Sequence, residues 1–309
     1  MSVITVAALA SVALAQDAIP TRVHRSSALP FLRPIPLGHT LDRDSREEIW
    51  TLGIANELRA RATIYEDAET WRLGYWHRWS DKANGEWFFE VPLLWRGPGF
   101  MDSLIAGWHA FLADGNVLRR ETPFGRSRVA FSSGDEFGSA VGVGDITLGW
   151  GTELGTGAGR IWTKLPTGSA NKLLGSGAFD FALSYDQSWA ISQTWSVSGQ
   201  VGMVWQGKPR RLEGARQSLP VWHLGIHYRN NPSEVWTFQI DSEESPTDLG
   251  EPILAQAHRV VTFGYQKRLG TNTIGIYFSE DADFGWTNFP GGARIGPDFT
   301  LGFFWRTQK

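Results

Sequence analysis

The chain has 309 residues, a formal net charge of -3 and 42% apolar residues, and its mean hydropathy lies slightly below zero. These values exclude a disordered, collagen-like or helical-membrane chain, and the balanced charge argues against nucleic acid as a partner. Tryptophan is the anomaly: 16 Trp, with 35 Gly and no Cys, suit a β-barrel that sets indoles at two bilayer interfaces and passes through an oxidising periplasm.

Met1 to Ala15 is uncharged and apolar and ends Ala13-Leu14-Ala15, the small-x-small pattern that precedes signal-peptide cleavage. It lacks a positive charge before the apolar run, and a buried N-terminal helix is the alternative. Cleavage after Ala15 leaves a mature chain starting at Gln16. Residues 16–47 carry Pro20, Pro30, Pro34 and Pro36 with Arg22, Arg25 and Arg33, a composition that makes neither helix nor strand. This periplasmic stretch is either a free tail or a plug folded into a lumen.

From residue 48 to 309 the sequence predicts a single antiparallel transmembrane β-barrel. Alternation bounded by turn residues gives twelve strands, near 48–58, 70–79, 85–95, 143–153, 158–166, 178–190, 193–205, 218–229, 233–242, 257–267, 271–280 and 297–306. The clearest is 193–205, where Trp195, Val197, Val201, Met203 and Trp205 point one way and Thr194, Ser196, Ser198 and Gln200 the other. An apolar face that begins and ends in Trp, over about ten residues, is the length and pattern of a tilted strand crossing a bilayer. Trp87 to Trp95, Trp222 to Tyr228 and Phe299 to Trp305 repeat it. The opposite face carries Arg72, Arg78, Glu90, Asp145, Arg160, Lys164, Asp180, His223, His227, Arg229, Asp241 and Asp298, and it is expected to line the lumen. The mixed charge there leaves two readings open, opposed rows that polarise a narrow channel or a salt-bridge network that closes the barrel. Five short turns alternate with six long connections, the asymmetry of a bacterial outer-membrane barrel in a Gram-negative cell, with both chain ends in the periplasm.

Between the third and fourth strands, Met101, Leu104, Ile105, Trp108 and Leu112 fall on one helical stripe, and Gly115 follows as a stop signal. This predicts an amphipathic helix in the longest outer loop. It is read either as a greasy gate at the barrel mouth or as a stripe packed on loop and lumen residues. The last strand, Phe299 to Trp305, has the Gly and aromatic pattern by which the barrel-assembly machinery recognises its clients, although the chain runs on to Lys309.

Several motifs now stand in order: Gly99-Phe-Met-Asp-Ser-Leu-Ile-Ala-Gly-Trp-His-Ala-Phe-Leu, Lys164-Leu-Pro-Thr-Gly168, Gly175-Ser-Gly-Ala-Phe-Asp180, Glu280-Asp281 and Pro297-Asp298-Phe299. Together they resemble a bacterial family, the domain of unknown function 3187, over about Pro20 to Arg306. The resemblance implies an outer-membrane barrel of unestablished activity and supplies no catalytic residues.

Three kinds of chemistry have candidate residues. A lipid hydrolase needs Ser and His together at the lipid-facing surface, whereas His223 and His227 belong to the lumen face and His24-Arg25-Ser26 to the Pro-rich stretch. Glu280, Asp281 and Asp283 are weak candidates for Ca²⁺, without EF-hand spacing, against a solvated loop whose carboxylates pair with Arg294 or a lumen arginine. Lys208, Arg210 and Arg211 are either a grip on lipopolysaccharide phosphates in the surrounding outer-membrane lipid or an ordinary solvated run. No cofactor motif is present. The sequence therefore points to a narrow passive channel for a small-molecule solute, with a closed structural or surface-recognition barrel as the alternative and a lipid-modifying enzyme third.

Overall fold

A computed structural model describes residues 17–21, 25–60, 62–81, 85–103, 107, 124–248, 257–281 and 299–309. The strands are β1 (Arg46–Ala60), β2 (Ile64–Ser80), β3 (Gly85–Gly97), β4 (Arg128–Phe131), β5 (Glu136–Phe137), β6 (Ala140–Val143), β7 (Ile146–Leu154), β8 (Gly157–Leu165), β9 (Asp180–Ala190), β10 (Trp195–Gln206), β11 (Ser218–Asn231), β12 (Glu234–Glu244), β13 (Ala257–Leu269), β14 (Asn272–Asp281) and β15 (Phe299–Gln308). Twelve of them, β1 to β3 and β7 to β15, pair antiparallel with their neighbours around a ring. The ring closes where β15 pairs with β1, from Glu47↔Gln308 to Asn56↔Phe299. Closure leaves no unpaired edge, which is the condition for a sheet to cross a bilayer.

Burial is inverted relative to a soluble protein. In β11 exposed and buried residues alternate strictly over Ser218 to Tyr228, with Trp222, Leu224, Ile226 and Tyr228 outside and Val221, His223 and His227 inside. Trp195 and Trp205, at the two ends of β10, are 47% and 41% exposed, so the indoles sit on the outer surface at both ends of the wall. Pairs such as Trp50 with Tyr75 (4.6 Å), Trp195 with Tyr228 (4.9 Å) and Trp71 with Trp95 (5.8 Å) join them into belts. A continuous apolar belt of this kind is stable only against lipid.

All twelve predicted strands are present, and three differ most from the expectation, both strands of the first hairpin and the fourth strand. The first hairpin was expected to stop at 58 and resume at 70, but pairing runs on to Ala60↔Tyr65. Polar residues on both faces of Asn56 to Thr70 hid this extension from an alternation test. Beyond the barrel it carries β4 and β5, and Phe31, Ile64, Val129, Phe131, Phe137, Leu173 and Leu212 form an apolar cluster over that end of the lumen. The fourth predicted strand, 143–153, is broken into β6 and β7. Leu93 pairs with Val143 and Glu90 with Thr147, so the β6–β7 side holds one extra residue, a bulge. Pro92 lies opposite, and its carbonyl accepts the Gly144 N–H at 2.9 Å.

Of the predicted loop helix, Leu104, Ile105, Trp108 and Leu112 lie outside the described residues, as do Asp283 and Asp298. Met101 is buried, and Glu69 accepts its N–H at 2.9 Å.

Glycines on the inward face could leave room inside. Instead an aromatic side chain from the paired strand fills the space: Tyr277 lies over Gly302 and Phe304 over Gly275, both cross-strand pairs. A Cβ at Gly302 would overlap the Tyr277 ring. The substitution Gly302→Val is expected to lower stability by about 1–3 kcal/mol, the usual cost of overpacking, read as an earlier urea midpoint in detergent micelles.

Candidate functional site: the lumen and the segment within it

Residues 17–21 and 25–41 lie inside the ring, in two passes. The first pass starts at the end of the barrel that holds the short turns. There Arg229 donates to the Asp17 carboxylate (2.9 Å) and Thr237 to the Asp17 carbonyl (3.1 Å). Midway, the Ile19 N–H donates to Gln239 (3.1 Å), and Thr21 reaches Asp241 (3.1 Å). At the far end, Arg25 donates to Glu66 (2.6 Å) and the Ser26 N–H to Glu57 (2.9 Å). The chain turns over Ala28 and Leu29, whose N–H groups both return to the Arg25 carbonyl at 3.0 and 2.7 Å. It then descends as an extended strand with no sheet partner to β1, where the Ser80 N–H meets the Ser45 carbonyl at 3.0 Å.

An extended chain without a sheet partner must satisfy its backbone by other means. Pro30, Pro34 and Pro36 remove three donors. Wall side chains take up others: Asp180 accepts the Leu32 N–H (2.9 Å) and Glu86 the Leu41 N–H (3.1 Å). Gln200 donates to the Ile35 carbonyl (2.9 Å), Arg78 to those of Leu37 (3.3 Å) and His39 (3.1 Å), and Arg160 to that of His39 (3.1 Å). Gly38 between them has φ of +68°, a conformation that a side chain would strain, and it aims the two flanking carbonyls at these arginines.

The wall charges are paired with one another along the inner face, between neighbouring or next-but-one strands. Arg78 joins Glu47 (2.6 Å) to Glu86 (2.7 Å), and Arg160 joins Glu86 (2.9 Å) to Asp186 (2.8 Å). Arg72 pairs with Glu90. Lys164 holds Asp145 (2.7 Å) and Asp180 (3.3 Å), and Asp145 also accepts the N–H groups of Gly168 (2.8 Å) and Ser176 (2.9 Å). Ten of the sequence-derived lumen candidates, Arg72, Arg78, Glu90, Asp145, Arg160, Lys164, Asp180, His223, His227 and Asp241, are buried, and Arg229 is half-buried.

Parity could have found what the sequence reading missed. Glu86 and Phe88 alternate with Trp87, and Trp162 shares its face with Arg160 and Lys164, so all three had to point inward with the charges. Trp76 and Trp162, 1% and 0% exposed, also belong to the inner face and not to the girdles. They form one apolar cluster with Phe88, Ile49 and the segment's Leu32, Ile35 and Leu37. The inner face is therefore not uniformly polar.

Ser198 Oγ lies 3.0 Å from His223 Nε2 and 2.8 Å from His227 Nε2, and His223 Nδ1 lies 3.1 Å from Asp241. The order is that of a hydrolytic triad, but Ser198 is paired in the ladder on both sides, with Gly225 and Ser188. Its backbone N–H is thus not offered to an oxyanion. Asp241 also takes Thr21 and Gln239, so the chain of polar groups links wall to segment. Among the described residues no three His, Asp or Glu side chains converge as metal ligands, and Glu280 and Asp281 lie within β14.

A family profile described as "Protein of unknown function (DUF3187)" matches residues 1–283. The chain belongs to this family. Two of the sequence motifs meet at one place: Lys164, Gly168, Ser176 and Asp180 converge on or beside Asp145 and fasten the loop after β8 to the wall. Gly99 to Asp102 are tied down in the same way, with the N–H groups of Phe100 and Met101 on Glu69 (both 2.9 Å) and Asn56 donating to Asp102 (2.9 Å).

A comparison with curated protein sequences finds no match. Among solved structures, an outer membrane channel from Pseudomonas putida F1 aligns at TM-score 0.53 and 13% identity, covering 88% of this chain and 97% of that one. The NanC porin aligns at TM-score 0.44 and 10% identity, covering 85% and 99%. The Ralstonia pickettii toluene transporter TbuX aligns at 0.41 and 9%, covering 87% and 90%. At 13% identity the first likeness concerns the fold alone, a closed antiparallel β-barrel.

Proposed function

We propose that the protein is a narrow passive channel of the bacterial outer membrane for a small molecule, held closed by its own residues 17–45. The observation that carries this reading is the seat of the segment. Its backbone is held in the lumen by hydrogen bonds to wall side chains, which water can replace, and β1 tethers only its C-terminal side. The short turns, Asp17 and Lys309 share one end of the barrel, which we assign to the periplasm. A signal peptide ending at Ala15 would start the mature chain where it enters the lumen. The assembly machinery would read β15, and Lys208, Arg210 and Arg211, all exposed, would face lipopolysaccharide at the outer rim.

One observation favours a second reading, a barrel that stays shut: the apolar cluster around Phe131, Phe137 and Leu212 also covers the outer end. Single-channel conductance in a planar bilayer separates the two. The full-length mature protein is expected to be silent or rarely open, and the protein lacking residues 16–41 to give discrete steps. Silence in both, with folding confirmed by heat-modifiable gel mobility, would establish the closed barrel.

A further inference from the structure

We infer that the wall under residues 32–39 is a binding site for a small aromatic carboxylate, and that the segment occupies it as a surrogate ligand. The inference rests on the channel reading and names its solute class.

Two features of different chemistry adjoin there. One is an aromatic shelf inside the lumen: Trp162 packs against Phe88 (ring centroids 4.5 Å) and edge-on against Trp76 (6.3 Å). Among polar neighbours such a shelf would expose apolar surface to water if nothing covered it, and Leu32, Ile35 and Leu37 cover it. The other is a set of donors aimed at oxygen. Arg78 and Arg160 converge on the His39 carbonyl, both at 3.1 Å, while Arg78 also reaches Leu37 and Gln200 reaches the Ile35 carbonyl. Arg78 Nε, also buried, has no hydrogen-bond partner among the described residues.

The local carboxylates do not turn this into a cation site. Glu47, Glu86 and Asp186 are already held by Arg78, Arg160 and Arg306, three charges against three. Facing the carbonyls of Ile35, Leu37 and His39, what remains is N–H, in the paired geometry that a carboxylate fits well and an ammonium cannot use; the carboxylates that accept from the segment, Asp180 at Leu32 and Glu86 at Leu41, lie at its two ends. Two guanidiniums on one oxygen, beside a shelf that takes an apolar ring, describe benzoate-like molecules and reject amines of the same shape.

A surrogate ligand competes with the real one, so loosening the segment should raise affinity. Benzoate, benzylamine and acetate are titrated calorimetrically into the full-length protein and into the Ile35→Ser/Leu37→Ser variant, with conductance recorded in parallel. Benzoate should bind the variant about tenfold more tightly than the wild type, since the segment no longer reduces the competent fraction. Benzylamine and acetate should bind at least about tenfold more weakly than benzoate, each lacking one half of the recognition. Trp162→Leu in the loosened background should lower benzoate affinity and leave acetate unchanged. If the double variant loses heat-modifiable mobility, Leu37→Ser alone replaces it. Benzylamine binding as well as benzoate, or equal benzoate affinity in wild type and variant, would overturn the inference. A variant that conducts but shows no benzoate preference removes the solute assignment and keeps the channel. One that binds benzoate and stays silent keeps the site and removes the gate.

Discussion

Arg160→Met is expected to destabilise the barrel by about 3–5 kcal/mol, the scale for removing one partner from a buried ion pair. The side chain is 0% exposed and holds two carboxylates, Glu86 at 2.9 Å and Asp186 at 2.8 Å. Methionine fills much of the volume but leaves Asp186 with Gln200 as its remaining polar partner, at 3.0 Å, and Glu86 with Arg78 and the Leu41 N–H. It also removes one of the donors on the His39 carbonyl. Urea titration of the folded protein in micelles, followed by gel mobility, reads the loss. Two comparisons give the number its meaning. Arg128→Met breaks an ion pair of similar length (3.1 Å) at an exposed site and should have no measurable effect, because solvent already screens it. Arg160→Met/Asp186→Leu should recover part of the loss, since it removes the stranded charge as well. Were Arg160→Met as harmless as Arg128→Met, water would have to reach the network freely, and the segment could not be seated as described.

The fold was legible because a transmembrane strand obeys a two-residue period on which lipid acts without exception. At Trp195 to Trp205 or Trp222 to Tyr228 one face must be apolar, and parity alone locates it. The same rule located inward charges such as Arg160 and Asp241. It was silent wherever lipid does not reach: at Glu57 and Glu66, where both faces are polar, and within residues 17–45, which have no period at all. Composition could say that Pro30, Pro34 and Pro36 make neither helix nor strand, but whether the stretch hangs free or fills the lumen depends on partners such as Asp180, Glu86 and Gln200, far away in sequence. Pairing of that kind has no local signature. The aromatic shelf was hidden for another reason. Trp76 and Trp162 have the parity of lumen residues, yet the expectation that indoles mark bilayer interfaces outweighed it. Proline and aromatic content together carried the missing information, since extended apolar residues need an apolar surface to rest on.

Ile35→Asp should turn a silent barrel into a conducting one. Ile35 is 1% exposed, in the cluster with Trp76, Phe88 and Trp162, and its own carbonyl already occupies the Gln200 amide. A carboxylate placed there meets aromatic carbon, and the Gln200 amide beside it is already shared with another carboxylate, Asp186. Leaving it in place costs several kcal/mol, whether as an unpaired charge or through forced protonation, and the apolar contact of Ile35 is lost as well. The barrel wall does not depend on residue 35, so the strain is relieved by unseating the segment and leaving the ring intact. A shift of about 5.5 kcal/mol would carry a two-state gate from 1:99 to 99:1, and a few kcal/mol suffice to make openings frequent. Discrete steps in a planar bilayer, with unchanged heat-modifiable mobility, are the expected record. Ile35→Asn, similar in size and uncharged, should open the gate less often, because it loses the packing without the charge. Equal opening in the two variants would assign the seat to apolar contact alone. A folded and silent Ile35→Asp barrel would mean that the outer cluster around Phe131 and Leu212 closes the lumen by itself, and the gate would have to be sought there.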